Sequence, residues 1–342
     1  MKHLFLVLCA GIATGSLIGC VQNEALPGQT QYALDTLCVV NLYQGGTEKL
    51  YTGIFARIRE IENFMSVTIP GSDIDKVNKN AGIQPVGVHP EVLDVVERAI
   101  HYAELSEGAF DPTVGPLVSL WGIGSDHPRL PSEEEIAAAL DLVNWRDLVV
   151  DRPAGTLYLK RPGMALDLGA IAKGYAADET VKLLAKTRVT GAIINLGASS
   201  IFAYGEKEGQ LPWRVGVQDP LDENRGDYMG ILEIRNKTVV TSGVYERFFE
   251  QDGVRYHHIL STKTGRPVEN KLLSVTIIAD QSTDADALST AVFALGYEAG
   301  SALIESLPGI EGVFIFDDQN IRYTSGVSGI FTLTSDRYRP VY

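Results

Sequence analysis

Apolar residues recur at three- and four-residue steps through Leu50, Ile54, Ile58, Ile61 and Met65, which predicts an amphipathic helix over residues 47–65. Residues 90–107 repeat that period through Val92, Val95, Val96, Ala99, Ile100 and Ala103, with Pro90 suited to a first helical turn and Gly108 to a C-cap. Ser132-Glu133-Glu134-Glu135 has the capping-box form of a helix start. Further helices are predicted at 170–186, 283–295 and 299–306. Short runs dense in β-branched and aromatic residues predict strands at 33–43, 191–196, 213–218, 229–234, 238–241, 256–260, 273–279, 312–316 and 329–334. Helices and strands intermix without regular alternation, so the expected fold is α+β, with packed helices around a mixed or antiparallel sheet.

The N-terminus departs from this pattern. Lys2 is followed by an uncharged stretch from Leu4 to Gly19, shorter than the roughly 20 residues of a membrane span and fit for a secretory signal. The run Leu17-Ile18-Gly19-Cys20 resembles the lipobox of bacterial lipoproteins. That resemblance implies cleavage before Cys20, acylation of Cys20, and an exported domain anchored by lipid to a bacterial membrane, facing the periplasm or the cell exterior. An ordinary signal peptide with a chance cysteine is the competing reading. Pro27 and Gly28 lie among polar residues without periodicity, which reads as a tether. The expected organisation is a lipoprotein signal at 1–19, a lipidated tether at 20–32 and one globular unit at 33–342.

Of 342 residues, 45% are hydrophobic and 21% charged, a globular profile with enough chain for a large core. With Cys9 in the signal and Cys20 acylated, Cys38 has no disulfide partner, and its apolar neighbours Leu37, Val39 and Val40 suggest a buried, inert thiol. The net charge of −14 argues against sequence-independent binding of nucleic acid. A phosphate-bearing ligand would need a local group of Arg or Lys, a helix N-terminus or a bound cation.

Four segments carry candidate chemistry. Residues 108–124, GAFDPTVGPLVSLWGIG, gather glycine, proline and aromatics around Asp111, as a loop approached closely by a ligand would, or as a buried connection would. Residues 167–177, DLGAIAKGYAA, place Gly169 at a turn before a helix with Lys173 just beyond; a helix start of this kind can receive an anion, but the P-loop spacing is missing. Residues 242–265 contain His257 and His258. Neighbours on a strand face opposite ways, so one can face a site while the other does not, and a structural role is the commoner one for a strand histidine. Residues 283–290, TDADALST, set Asp286 and Thr290 one helical turn apart with their oxygens on one face, a pair suited to Mg2+ or to plain capping. Asp284 reads as a first-turn acid that favours the helix dipole.

Together and in this order, FDPTVGPLVSLW, DLGAIAKGYAAD, TSGVYERFF, HHI and ADALSTAVFALG resemble the ApbE family of FAD:protein FMN transferases, from about Tyr32 to the C-terminus. The resemblance implies a T-fold-like, two-lobed single catalytic unit. It implies transfer of FMN from the substrate FAD to a Thr or Ser hydroxyl of a partner protein, with release of AMP and with Mg2+ as cofactor. Acceptors implied are electron-transport subunits of the Rnf and sodium-pumping quinone reductase kinds. Position by position, it implies metal binding by Asp286, Thr290, the Ala170 carbonyl and Ser289. It implies FAD contacts at Leu34, Thr68, Ala109, Phe110, Asp111, Asp167, Lys173, His258 and Ile259, and a general-base role for His258, for which an ordinary histidine pKa near 6.5 is suited. This chain departs from the family pattern in three places. Leu34-Asp35-Thr36 stands for Met-Gly-Thr, Gly197-Ala198-Ser199 for Gly-Gly-Asn, and Ser261-Thr262 for Asp-Pro. Two other functions fit the same residues: an FAD pyrophosphatase, with water in place of the acceptor, and a flavin-binding lipoprotein without turnover.

Overall fold

A computed structural model describes residues 26–207, 209–222 and 226–341. Among these, nine strands form one sheet, in the order Gln29–Ala33, Thr36–Gln44, Gly191–Leu196, Ser200–Gly205, Lys237–Gly243, Leu272–Ala279, Glu311–Phe316, Asn320–Tyr323 and Arg339–Pro340. Its pairings are antiparallel except the last. The α+β expectation is met.

Both faces of the sheet's middle are covered, and the period of two explains how. Val240, Val275, Ile277 and Phe314 join the core shared with the helices Glu48–Met65, Pro90–Leu105, Ala172–Leu184 and Ser282–Leu295. Their neighbours Val239, Ile278, Val313 and Ile315 point the other way, into a second core with Val215, Val217 and Leu232. Those three sit on a small sheet of Trp213–Gln218, Tyr228–Ile234 and Phe331–Leu333. A strand covered on both faces reads as an unbroken apolar run, which is what LLSVTIIA at 272–279 is.

The Glu48–Met65 helix starts at Thr47, whose hydroxyl accepts from Leu50 N–H. Ser132 and Glu135 close the capping box. Pro90–Leu105 ends on Ser106 rather than Gly108, which follows in a left-handed conformation with φ of 84°.

Three expectations are corrected. The strand at 33–43 is a hairpin: Leu34 and Asp35, both with positive φ, turn the chain between Ala33 and Thr36. The sheet therefore begins at Gln29, inside the stretch expected to be a tether. The strand expected at 256–260 ends at His257, because the chain leaves its partner Phe248–Gln251 there. The loop at 108–124 contains a short helix, Gly115–Trp121, seated by the bond from Trp121 Nε1 to the Gly265 carbonyl at 2.7 Å. Cys38 is buried, and burial pushes its thiol up to about 11. Cys20 and the rest of the expected signal lie outside the described residues.

Candidate active site

The four segments converge. Asp167 N–H donates to the Pro112 carbonyl at 2.8 Å, and Val114 bridges to Ala165, which lays 108–114 alongside 165–167. Thr262 Oγ1 donates to the Gly108 carbonyl at 2.6 Å, tying the third segment to the first. Ser242 Oγ lies 2.8 Å from Ser289 Oγ and 3.4 Å from Thr290 Oγ1, tying the third to the fourth.

The second and fourth segments meet most closely. Gly174 N–H donates to Asp286 Oδ2 at 3.0 Å, and Lys173 Nζ lies 3.3 Å from Asp286 Oδ1 and 3.1 Å from the Gly169 carbonyl. The two helices touch backbone to backbone here: a Cβ on Gly174 would collide with the Ser282 carbonyl. Asp178 fixes the contact by accepting from Ser282 N–H at 2.7 Å and Thr283 N–H at 2.9 Å, capping the helix that carries Asp286 from a different helix. Sequence reading missed this role, since capping normally comes from the residue just before the helix. Asp284, expected to act through the helix dipole, is also held by Arg98 through two bonds of 2.7 and 2.6 Å.

Asp286 is 4% exposed. Its carboxylate is met by Lys173 Nζ and Gly174 N–H, and Thr290 lies one turn further along the same helix. Gly174 lies in the first turn of the helix Ala172–Leu184, where a backbone N–H has no partner within the helix, and Asp286 supplies that partner. Ser289 is different. Its hydroxyl is spent on the Asp286 carbonyl at 2.9 Å and on Ser242, and its mid-helix position commits its carbonyl to the ladder. Among the described residues no group of three or more His, Cys, Asp and Glu side chains is placed to hold a metal.

His257 and His258 diverge. His257 is buried with both ring nitrogens used: Nε2 lies 3.0 Å from the Val268 carbonyl and Nδ1 accepts from Ile259 N–H at 3.3 Å. His258 Nδ1 lies 3.2 Å from the Arg247 carbonyl, which also accepts from His258 N–H at 3.0 Å. A carbonyl only accepts, so Nδ1 carries the proton and Nε2 keeps its lone pair. The residue as a whole is half-buried. Burial lowers its pKa to about 4, with the Arg247 and Lys173 charges adding to the effect. The ordinary value near 6.5 expected from sequence is therefore corrected.

Asp167 shares these neighbours. Burial holds its carboxyl above the usual range, opposed by Gly169 N–H at 2.7 Å and by the charges of Arg247 and Lys173. Leu34 N–H donates to Glu62 Oε1 at 2.7 Å, and the next carbonyl, Asp35, lies 3.4 Å from Arg247. Asp111 is buried and fully engaged, accepting from Thr113 N–H and Oγ1, both at 2.7 Å, and from Trp145 N–H at 3.0 Å. A ligand meeting Ala109-Phe110-Asp111 therefore finds their backbone rather than this carboxylate. Ile259 is buried in the main core. Thr68 stands apart: it is exposed, and its hydroxyl lies 3.0 Å from Ser66 Oγ, with no hydrogen bond to the other site residues.

Two cavities, of about 230 and 360 Å3, lie elsewhere. The first is bordered by Arg98, Tyr175 and Asp284, the second by Tyr256, His257 and Arg266. Neither is lined by Lys173, His258 or Asp286, so chemistry rather than enclosure marks the site.

The three family departures find their places in the structure. Asp35 and Ala198 stand where the pattern has glycine, and both have positive φ, of 54° and 65°. Ser261 and Thr262 stand for Asp-Pro, and Thr262 supplies the bond to Gly108.

Residues 34–314 match the sequence profile of the ApbE family. An FAD:protein FMN transferase of Treponema pallidum is 38% identical over 316 residues, 87% of each chain. One from Klebsiella pneumoniae is 37% identical, covering 81% of this chain and 85% of the other. Among solved structures, the flavin transferase ApbE of Vibrio cholerae superposes with a TM-score of 0.80 at 29% identity, over 89% of this chain and 98% of that one. The ApbE protein of Thermotoga maritima superposes with a TM-score of 0.81 at 32% identity, over the same shares.

Proposed function

The chain belongs to the ApbE family, and from that premise we propose that it transfers FMN from FAD to a Thr or Ser hydroxyl of a partner protein, releasing AMP. The observation that carries the reading is the pairing of Lys173 with Asp286 at 3.3 Å, with His258 near enough to feel the Lys173 charge and with its Nδ1 bond to Arg247 leaving Nε2 as the accepting nitrogen.

The chain's own residues account for the proton and the charge. The acceptor hydroxyl gives its proton to His258 Nε2 as its oxygen bonds to the phosphorus of the FMN half. The bond from that phosphorus to the bridging oxygen breaks, and AMP leaves with the oxygen. Lys173 stands beside the diphosphate to offset its charge, and such transfer depends mainly on positioning.

Mg2+ would be held by Asp286 and Thr290, with the Ala170 carbonyl as the further oxygen that the family resemblance implies and with water and substrate phosphate completing the set. It would supply neutralisation of the diphosphate charge. Lys173 now lies against Asp286, so metal binding requires its ammonium to turn toward the phosphates.

Incubating the protein with FAD and Mg2+, with and without a candidate acceptor, and separating FMN, AMP and flavinylated protein tests the proposal. Flavinylated acceptor with one AMP per transfer supports it. FMN and AMP in equal amounts without acceptor labelling would make the enzyme an FAD pyrophosphatase, and bound FAD without turnover a flavin carrier.

Anchoring belongs to the same proposal and rests on the uncharged stretch ending in Leu17-Ile18-Gly19-Cys20. Acylated Cys20 would hold the domain on a membrane facing the periplasm or exterior, where Rnf-type or sodium-pumping quinone reductase subunits are the proposed acceptors. Mass spectrometry of the cell-derived N-terminus decides it: an unmodified Cys20 removes the anchor from the proposal.

A further inference from the structure

We propose that the guanidinium of Arg247 is a diphosphate-binding group of this site; the inference rests on the flavin-transferase reading. The need arises from charge. The chain carries −14 overall, and FAD must bring a diphosphate toward Asp35, Asp167 and Asp286. Lys173 is one cation there, held in the ligand-free protein by Asp286 and the Gly169 carbonyl, and a diphosphate carries more charge than one ammonium offsets.

Arg247 differs from most arginines of the chain. Arg57, Arg98, Arg129, Arg152 and Arg266 each hold a carboxylate. Arg247 forms no ion pair among the described residues, and its guanidinium makes one long bond, 3.4 Å to the Asp35 carbonyl. A lone exposed arginine is ordinarily just a solvated one. This one is fixed at the reaction centre. Its carbonyl holds both the N–H and Nδ1 of His258, at 3.0 and 3.2 Å. Its side chain lies over Gly124, whose Cβ, if present, would stand 3.1 Å from Arg247 Cδ. Its charge acts on the same two groups as that of Lys173, namely Asp167 and His258. A phosphate placed for attack beside His258 thus lies within reach of a planar fork of N–H donors that no carboxylate occupies.

The test compares FAD with riboflavin, which has the same ring system and no phosphate, by equilibrium binding to the full chain and its Arg247→Gln and Arg247→Lys variants. Arg247→Gln is expected to weaken FAD ~10- to 100-fold, the weight of one charge-assisted bond, and to leave riboflavin affinity unchanged, which also shows that the variant is folded. Arg247→Lys is expected to recover part of the loss, since it restores charge without the fork. Equal loss for both flavins would make Arg247 a ring contact or a structural residue and overturn the inference. Unchanged FAD affinity in Arg247→Gln, with wild type binding FAD, would overturn it alone. Failure of the wild type to bind FAD would overturn the flavin reading beneath it.

Discussion

Gly174 gives its backbone N–H to the carboxylate of Asp286 at 3.0 Å, joining two helices 112 residues apart in the chain. The bond does two things at once. It orients the acid, and it satisfies a first-turn N–H that has no partner within its own helix. The same glycine permits the contact by lacking a Cβ.

Gly174→Ala should therefore cost more than its gain in helix propensity returns. The added methyl must displace the Ser282 backbone, an overpacking penalty of ~1–3 kcal/mol. A lowered melting temperature together with a large fall in FMN transfer is the expected result. Wild-type stability and transfer would show that the helices can separate freely.

Replacing Asp286 separates structure from metal binding. Asp286→Ala leaves a buried N–H without an acceptor, at about 1–3 kcal/mol, so lost activity alone would be ambiguous. Asp286→Asn keeps an oxygen for Gly174 and removes the charge. It should stay folded and lose Mg2+-dependent transfer, and EDTA should reproduce that loss in the wild type. Full transfer by Asp286→Asn in EDTA would end the metal assignment.

The adjacent histidines should part in their effects. His258→Ala is expected to lower single-turnover transfer by roughly 10² to 10⁴, the usual weight of a general base, with stability little changed. His257→Ala should instead lower the melting temperature, because both its ring nitrogens hold backbone groups. A severe kinetic defect in His257→Ala with normal folding would reverse the two roles.

In the metal-free, FAD-free protein, the His258 ring should titrate near pH 4 by NMR. The unfolded value is about 6.5, so below that pH the unfolded chain takes a proton that the native ring refuses. The contribution of His258 to stability is full above about 6.5 and is lost as the pH falls toward 4. A native midpoint near 6.5 would show an open, solvated ring.

Ala198→Gly and Asp35→Gly should each stabilise the fold. A left-handed backbone costs a non-glycine residue ~1–2 kcal/mol, and the added freedom of glycine in the unfolded chain returns ~0.5–1. A net gain of up to about 1 kcal/mol is expected in denaturant midpoints. A loss in either variant would mean that the side chain makes contacts worth more than the strain.

Much of the fold was legible because it is local. The strands Gly191–Leu196 and Trp213–Gln218 have the bounds that their apolar content indicates, and Ser132 with Glu135 forms the cap that their spacing indicates. The Leu34–Asp35 turn was not legible, since Leu-Asp carries no turn signal and glycine is absent from both left-handed positions. The helix Gly115–Trp121 was hidden by its glycine and proline content. It is held by tertiary contacts such as Trp121 on Gly265.

The order and chemistry of the motifs, and with them the family, were set by the sequence alone, since identity of side chains is all that a motif needs. The sequence also set Asp286 and Thr290 on one helical face, because 3.6 residues per turn leaves no choice. Only the tertiary structure decided that Asp178 caps a distant helix, that His257 is locked while His258 keeps a free nitrogen, and that the His258 pKa falls to about 4. Each of these depends on which groups surround an atom in space. Burial and hydrogen-bond partners come from chain segments that no local pattern connects.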